Sequence, residues 1–270
     1  MPEISVNMNI ANQQITMFFD PDLPVHNAIL AELQNTGAYE PGTQFFFMRV
    51  LRKGDVFVDV GAHIGYFSMV SAALVGDQGK VISVEPIDDN FQFLARNIEA
   101  NKLNYAHAVN SVISDTEGEV QFHHNLDNDG GHALWDPRNH PSNEKTRQAP
   151  KSETLPSMTL ETLLTKFGCD HVRAMKIDTE GAERMILESG RTYFDRGAVD
   201  FVVAEVNGSG LVEMGSSVDD FFAYARDLGF VILLPNVDGS APSVLGRDNR
   251  PDTVYVYNVI LASPKALADF

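Results

Sequence analysis

The sequence predicts an α/β fold with a mostly parallel central sheet and helices on both faces. Strand-like and helix-like segments alternate between residues 56 and 234, the pattern of successive βαβ units. The strand-like runs at residues 56–60 and 199–206 are continuously apolar and rich in β-branched residues, as strands covered on both faces are. The chain of 270 residues, 44% hydrophobic and 21% charged, is long enough to bury a sizeable core without staples.

Each element has its own signal. Residues 1–24 alternate weakly through Ile4, Val6, Met8 and Ile10, then Ile15, Met17 and Phe18, and end in Asp20-Pro21-Asp22-Leu23-Pro24. That predicts a hairpin closed by a proline turn. Residues 25–37 predict a short helix stopped at Gly37. Residues 1–38 are thus expected to be an N-terminal extension packed on a main domain of residues 39–270. An apolar helical stretch over 45–51 is broken at Gly54-Asp55. The run 56–60 is the first parallel strand and 64–75 its helix. Residues 81–86 give a second strand, and 88–101 a second helix with Asp88 placed to cap it. Residues 105–114 read as a third strand, and 119–122 as a short added one after the turn at Glu117-Gly118. Residues 124–154 are rich in Asn, Asp, Gly, Pro and His and predict a long irregular loop, with 125–140 a substrate lid. Loops beyond about 12–15 residues in a compact domain are usually functional or disordered. Then come a helix over 160–167, a strand over 172–178, a helix over 182–189 stopped by Gly190, and the strand 199–206. A helix over 218–228 has Ser217 as its cap. Strands at 230–234 and 254–261 close the chain, the last following its predecessor without a helix and so able to pair antiparallel.

Composition excludes some functions. The net charge is −17, from 20 Lys and Arg against 37 Asp and Glu. That argues against nucleic acid or an anionic membrane as a partner, since both need clustered cations. Cys169 is the single cysteine, so no intrachain disulfide is possible and a reducing cytoplasm fits. The segment Met1 to Asn7 lacks a basic region followed by an apolar stretch, so no secretory signal is expected. No apolar run approaches the ~18 residues of a spanning helix.

Two constellations can carry chemistry. Asp59-Val60-Gly61-Ala62-His63-Ile64-Gly65 lies at the carboxyl end of the first parallel strand, where open α/β sheets bind ligands. Gly61 lets the backbone turn, and Gly65 lets the helix approach a ligand closely. Glu85 ends the next strand, where a carboxylate can accept both hydroxyls of a ribose. A dinucleotide site wants Gly-x-Gly-x-x-Gly, so that a pyrophosphate lies on the helix N-terminus. Here the spacing is Gly-x-x-x-Gly with Asp59 just before, which suits an ammonium rather than a phosphate. S-adenosylmethionine, which carries an ammonium and a sulfonium, is favoured over NAD.

The second is Met175-Lys176-Ile177-Asp178-Thr179-Glu180-Gly181-Ala182-Glu183. Acids near a helix N-terminus stabilise its dipole, which suffices for Glu183. Asp178, ending an apolar strand at the ligand edge, is a candidate catalytic residue, as is Glu180. Asp178 with Glu205 and Asn207 on the next strand could instead hold a Mg²⁺-type ion through oxygen ligands, although a metal-free site is the expectation. His123 and His124 are adjacent and face opposite sides of a strand. His132 lies in a flexible stretch, with Trp135 close behind, and is a further candidate base. Met175 and the phenylalanines at 45–47 read as core. Cys169 reads as a buried thiol with no His partner, not a nucleophile.

The chain resembles the FkbM-type family of S-adenosylmethionine-dependent methyltransferases. The matching segments run from Gly54 to Ser68, then Val84-Glu85-Pro86, then Ile113 to Val120, then Lys176 to Glu183, spanning residues 39–206. The resemblance implies a Rossmann-like class I methyltransferase fold with an antiparallel last strand. It implies that the loop with Gly61 and Gly65 holds the methionine part of the cofactor and Glu85 the ribose. The segment around Val112 and Ser114 then lies beside the adenine. His63 stands where the family usually has Asn, and offers a donor and an acceptor as Asn does. Glu40 is carried over as a cofactor- or substrate-side residue. The implied activity is O-methylation of a hydroxyl on a small molecule, a sugar or natural product. An NAD-dependent oxidoreductase and a cofactor-binding module without catalysis are the competing readings.

Overall fold

The structure is a computed structural model and describes residues 4–246, 249–252 and 255–269. The chain opens with an antiparallel hairpin, β1 (Ile4–Ile10) and β2 (Gln13–Phe19). Its two-residue turn, Ala11-Asn12, has φ of 49° and 64°, the left-handed pair that matches strand twist. Helix α1 (Pro24–Thr36) ends at Gly37, whose φ is 79°. Helix α2 (Pro41–Val50) follows. The alternating region then begins with β3 (Val56–Val60), α3 (Tyr66–Val75), β4 (Lys80–Val84), α4 (Asp88–Ala100) and β5 (Ala106–Val109). An inserted region holds β6 (Val112–Ile113), β7 (Gly118–His124), α5 (Glu144–Gln148) and β8 (Lys151–Met158). The second half comprises α6 (Leu160–Lys166), β9 (Val172–Ile177), α7 (Glu183–Ser189), α8 (Arg191–Asp195) and β10 (Val199–Val206). It ends with α9 (Gly208–Glu213), α10 (Val218–Asp227), β11 (Val231–Leu234), β12 (Ser243–Val244) and β13 (Tyr257–Ala262).

Among the described residues the main sheet has eight strands in the order β12-β11-β13-β10-β9-β3-β4-β5. The pairs from β10 to β5 are parallel, whereas β13 lies antiparallel between β10 and β11. The chain therefore leaves β3 in one direction and returns at β9 on its other side. That reversal opens a crevice at the carboxyl ends of β3 and β9.

Alternating side chains of these buried strands feed two cores. Phe57, Phe201 and Met69 pack with Phe47 of α2 and with Ile15 and Phe19 of β2. Val58, Met175 and Val202 pack with α6, α7 and α10 on the opposite face. The hairpin is tied to α4 and to Asn101, the residue at its C-terminal end, by side-chain amides that act as an extra ladder. Asn101 and Asn97 accept the N–H groups of Thr16 and Phe18, each at 2.8 Å. No helix among the described residues is long and apolar enough to cross a membrane.

The fold class matches the sequence expectation, but several elements differ. The third strand is two: β5 ends at Val109, and β6 joins β7 and β8 in a separate three-stranded sheet. The break falls at Asn110, whose side chain donates to the carbonyls of Glu85 and Pro86, both at 3.2 Å. The stretch 124–154 is not wholly irregular, because β8 starts at Lys151 and α5 lies within it. β8 buries only Leu155 and Ser157 and carries Pro156, so its sequence lacks an apolar stripe. Asp88 is not the cap of α4; Ile87 holds that position and Asp88 sits in the first turn. Ser217 does cap α10, accepting the Asp220 N–H at 3.1 Å. Phe46, Phe47, Met175 and Cys169 are buried, while Phe45 is half-buried. The expected start of the last strand, Val254, lies outside the described residues.

Candidate active site

A cavity of about 630 Å³ occupies the crevice at the carboxyl ends of β3, β4, β9 and β10. It is within the size range of small-molecule sites. The strand ends contribute Asp59, Glu85, Lys176 and Glu205, and the inserted region covers them with His132 and Trp135, among others.

Asp59 is 1% exposed. It accepts the Ser68 hydroxyl at 2.6 Å, and Ser83 in turn donates to Ser68 at 2.7 Å. Burial pushes its carboxyl up to about 6, against the pull of the Lys176 ammonium. Gly61 has φ of 78°, and a Cβ there would lie 1.9 Å from the Asp178 carbonyl oxygen. Glycine is required because two strand-end loops touch. Gly65 also has positive φ, 86°, but a Cβ would meet Leu94 Cδ1 at 2.5 Å. Gly65 does not line the cavity. Its smallness serves helix packing, which corrects the expectation of close approach to a ligand.

Glu85 is 5% exposed, and its two oxygens accept the N–H groups of His63 at 2.9 Å and Ile87 at 3.0 Å. Burial pushes its carboxyl upward, opposed by His63 and these main-chain donors. Val112 lines the cavity beside Ser111 and Ile113. Ser114 does not: its hydroxyl is 2.7 Å from that of Ser157, and it accepts the Thr116 N–H at 2.9 Å within the second sheet. Glu40 lines the cavity from a left-handed position, φ 43°, and accepts the Asn258 amide at 2.7 Å. Burial pushes its carboxyl up as well.

Lys176 is 3% exposed and pairs with Asp178. Burial disfavours its charge, yet Asp178, Glu40 and Asp59 outweigh that and hold the ammonium firmly protonated. Beyond it, Glu180 has φ of 57°. Its carboxylate accepts the Asn207 amide at 2.6 Å, and its carbonyl accepts the Trp135 indole N–H at 2.6 Å. Burial, followed by the Asp178 charge, pushes the Glu180 carboxyl up to about 8. Glu205 Oε2 is buried with no partner. Burial and the nearby Glu180 and Asp178 charges push it well above the ordinary carboxylate range.

Glu183 does more than answer a helix dipole. It is fully buried and accepts the Thr179 N–H and hydroxyl, both at 2.9 Å, and the Gly181 N–H at 3.3 Å. It thereby shapes the turn that carries Asp178 and Glu180. His132 lines the cavity, but its Nδ1 accepts the Asn125 N–H at 3.0 Å. Burial pushes its imidazole down to about 4. With one lone pair committed and the other nitrogen protonated, the neutral ring is a donor, not a base. Residues that the sequence reading missed are Ser68, Ser83 and Asn258, which reach the site only through tertiary pairing. Asn207 has both ends of its amide engaged, by Glu180 and as the cap of α9.

Read from β5 to β11, the parallel run and the antiparallel β13 inserted before β11 form the strand order of a Rossmann-like class I methyltransferase. The crevice offers buried carboxylates where a dinucleotide fold would offer a phosphate cradle, which fits a cationic nucleoside, S-adenosylmethionine. The model of the methyltransferase FkbM domain matches residues 59–232, and the chain belongs to that family.

Solved structures resemble it at low identity. A SAM-dependent O-methyltransferase of Thermotoga maritima is 12% identical over 96% of this chain and 77% of its own, with a TM-score of 0.45. An rRNA methylase of Streptococcus thermophilus is 11% identical over 82% and 93%, with a TM-score of 0.41. A Streptococcus mutans chain in complex with S-adenosylhomocysteine is 10% identical over 82% and 94%, with a TM-score of 0.45. None of these likenesses bears on the substrate. No curated protein matches the sequence.

Proposed function

We propose that the protein methylates a hydroxyl of a small molecule, a sugar or natural product, with Glu180 as general base. The observation that carries this reading is the Glu180 carboxyl, which lines the cavity and is pushed up to about 8 by burial. A base whose pKa lies near the working pH combines the right protonation state with sufficient basicity. S-adenosylmethionine supplies the methyl group on a sulfonium, open to in-line displacement by oxygen. Glu180 takes the hydroxyl proton as the new C–O bond forms, leaving a methyl ether and S-adenosylhomocysteine. Asn207 orients the Glu180 carboxylate, and Glu183 holds the turn beneath it. Asp178, paired with Lys176, fixes charge beside the base.

For the cofactor, Glu85 would hold the ribose and Val112 would flank the adenine. Asp59, the loop of Gly61 and His63, and Glu40 would surround the methionine end. Aligning two reactants in a closed site accounts for much of such a barrier. The acids lining the cavity also favour a neutral or cationic acceptor over a phosphate-bearing one.

The test is transfer of label from S-adenosylmethionine to a panel of hydroxylated small molecules and, separately, to total RNA. Label in a small-molecule ether, lost at least about 100-fold in Glu180→Gln, supports the reading. Label in RNA alone, or undiminished transfer in Glu180→Gln, overturns it.

A further inference from the structure

We infer that Asp129, in the inserted region, is a positioning residue that decides which nitrogen of His63 is offered to the cofactor. His63 lines the cavity, and Asp129 does not. The Asp129 Oδ2 lies 3.2 Å from His63 Nε2. An ionised carboxylate only accepts, so the proton sits on Nε2. His63 Nδ1, which has no partner among the described residues, is then an acceptor in the neutral ring. A cofactor N–H or O–H, from the ammonium or the ribose, is the complementary group.

Asp129 is held for this task by two elements, α1 and α4. Its Oδ1 accepts the Val25 N–H at 2.8 Å, supplying the cap that Leu23 gives α1 no side chain to provide. Its carbonyl accepts the Asn90 amide of α4 at 3.0 Å. Burial would raise its carboxyl, but the His63 and Val25 hydrogen bonds outweigh that and keep it below the usual carboxylate value. The His63 main-chain N–H meanwhile goes to Glu85. The inserted region, α1 and the cofactor loop thus meet at one carboxylate.

A divalent cation is the competing occupant, because ligand atoms of His26, His63 and Asp129 lie within 4.8 Å of one another. The His26 tautomer speaks against it. Its Nδ1 accepts the Asp20 N–H at 2.9 Å, so its proton is on Nε2, the atom that would have to bind metal. Nε2 is buried without a partner, 3.8 Å from Asp129 Oδ2. The cluster is two N–H groups facing one carboxylate.

The inference rests on the cofactor assignment, which binding of S-adenosylhomocysteine to the wild-type chain tests separately. The decisive variant is Asp129→Asn. Its amide oxygen stays with the Val25 N–H, so its NH₂ faces His63 Nε2, which must now accept, and the ring proton moves to Nδ1. Nitrogen-15 NMR of the histidine rings, with His63 assigned by its loss in His63→Gln, reads the tautomer. The wild type should be Nε2-protonated and Asp129→Asn Nδ1-protonated, with S-adenosylhomocysteine affinity down about tenfold, the worth of one hydrogen bond. An equal loss with 5′-methylthioadenosine assigns the ribose as the donor; a loss confined to S-adenosylhomocysteine assigns the ammonium. A wild-type ring protonated on Nδ1 overturns the inference even if the variant does not fold. So does an unchanged affinity in a variant whose tautomer has switched, or stoichiometric Zn²⁺ binding by the wild type that Asp129→Asn abolishes.

Discussion

Replacing Glu85 with glutamine probes the cofactor site with almost no change of shape. In the folded chain both Glu85 oxygens are acceptors, for His63 at 2.9 Å and Ile87 at 3.0 Å. Glutamine turns one of them into an NH₂. Whichever way the amide lies, a buried donor then faces another donor, which costs about 1–3 kcal/mol of stability. For a chain this long, each kcal/mol lowers the unfolding midpoint by about 2–4 °C. Cofactor binding loses more specifically. Hydrogen bonds to a charged acceptor contribute about 1.5–3 kcal/mol, so replacing the carboxylate weakens binding about 10- to 150-fold. Calorimetric titration with S-adenosylhomocysteine, run beside thermal unfolding of the ligand-free protein, separates the two effects. An affinity within about twofold of wild type, in a variant that still folds, would refute the role of Glu85.

The acids of the cavity predict a pH dependence. Asp59, Glu183 and Glu180 have folded values of about 6, 7 and 8, above the unfolded value near 4, so the stability they contribute is full below pH ~4 and lost as pH rises through those values. His26 and His132, pushed down to about 4, contribute stability that is complete above pH ~6.5 and lost below it. The ligand-free midpoint should therefore fall between pH ~6.5 and ~8; a flat or rising midpoint there contradicts the burial of these acids. Gly61→Ala adds a backbone clash at 1.9 Å to a left-handed φ, whereas Gly37→Ala meets nothing within 4 Å at a similar φ. Gly37→Ala should cost about 1–2 kcal/mol and Gly61→Ala clearly more by thermal unfolding; equal costs would deny the contact between the strand-end loops. Trp135→Phe removes the hydrogen bond to the Glu180 carbonyl, worth about 0.5–1.5 kcal/mol. Hydrogen exchange across 133–137 and 179–183 should quicken, and unchanged rates would show that the indole does not pin the inserted region to the turn after β9.

What the sequence made legible was local. Asp59, Glu85 and Asp178 stand out because each puts a charge near or just past the end of an apolar strand, and strand ends in such sheets face the crevice. Gly61 was legible for the same reason. Gly65 reads as ligand approach in the sequence because its true neighbour, Leu94, lies a whole βα unit away. His132 has the look of a base in the sequence because nothing in its own segment shows that the Asn125 N–H takes its lone pair. Ser68 and Ser83 become a relay to Asp59 only when β3, α3 and β4 pack. β8 was hidden because a strand that buries one face of Leu155 and Ser157 has no apolar periodicity.

The position of β13 has a consequence for synthesis. It lies inside the sheet, antiparallel between β10 and β11, and among the described strands it comes latest in the sequence. Until residues 257–262 leave the ribosome, β10 and β11 have no common neighbour, and each shows an open row of main-chain donors and acceptors. The earlier strands can pair in order as they emerge, so the nascent chain carries a nearly finished half-sheet that is still open along β10. Folding of this protein should then be gated by a single late insertion. The interval before it is when an extended segment of another chain could take the vacant place.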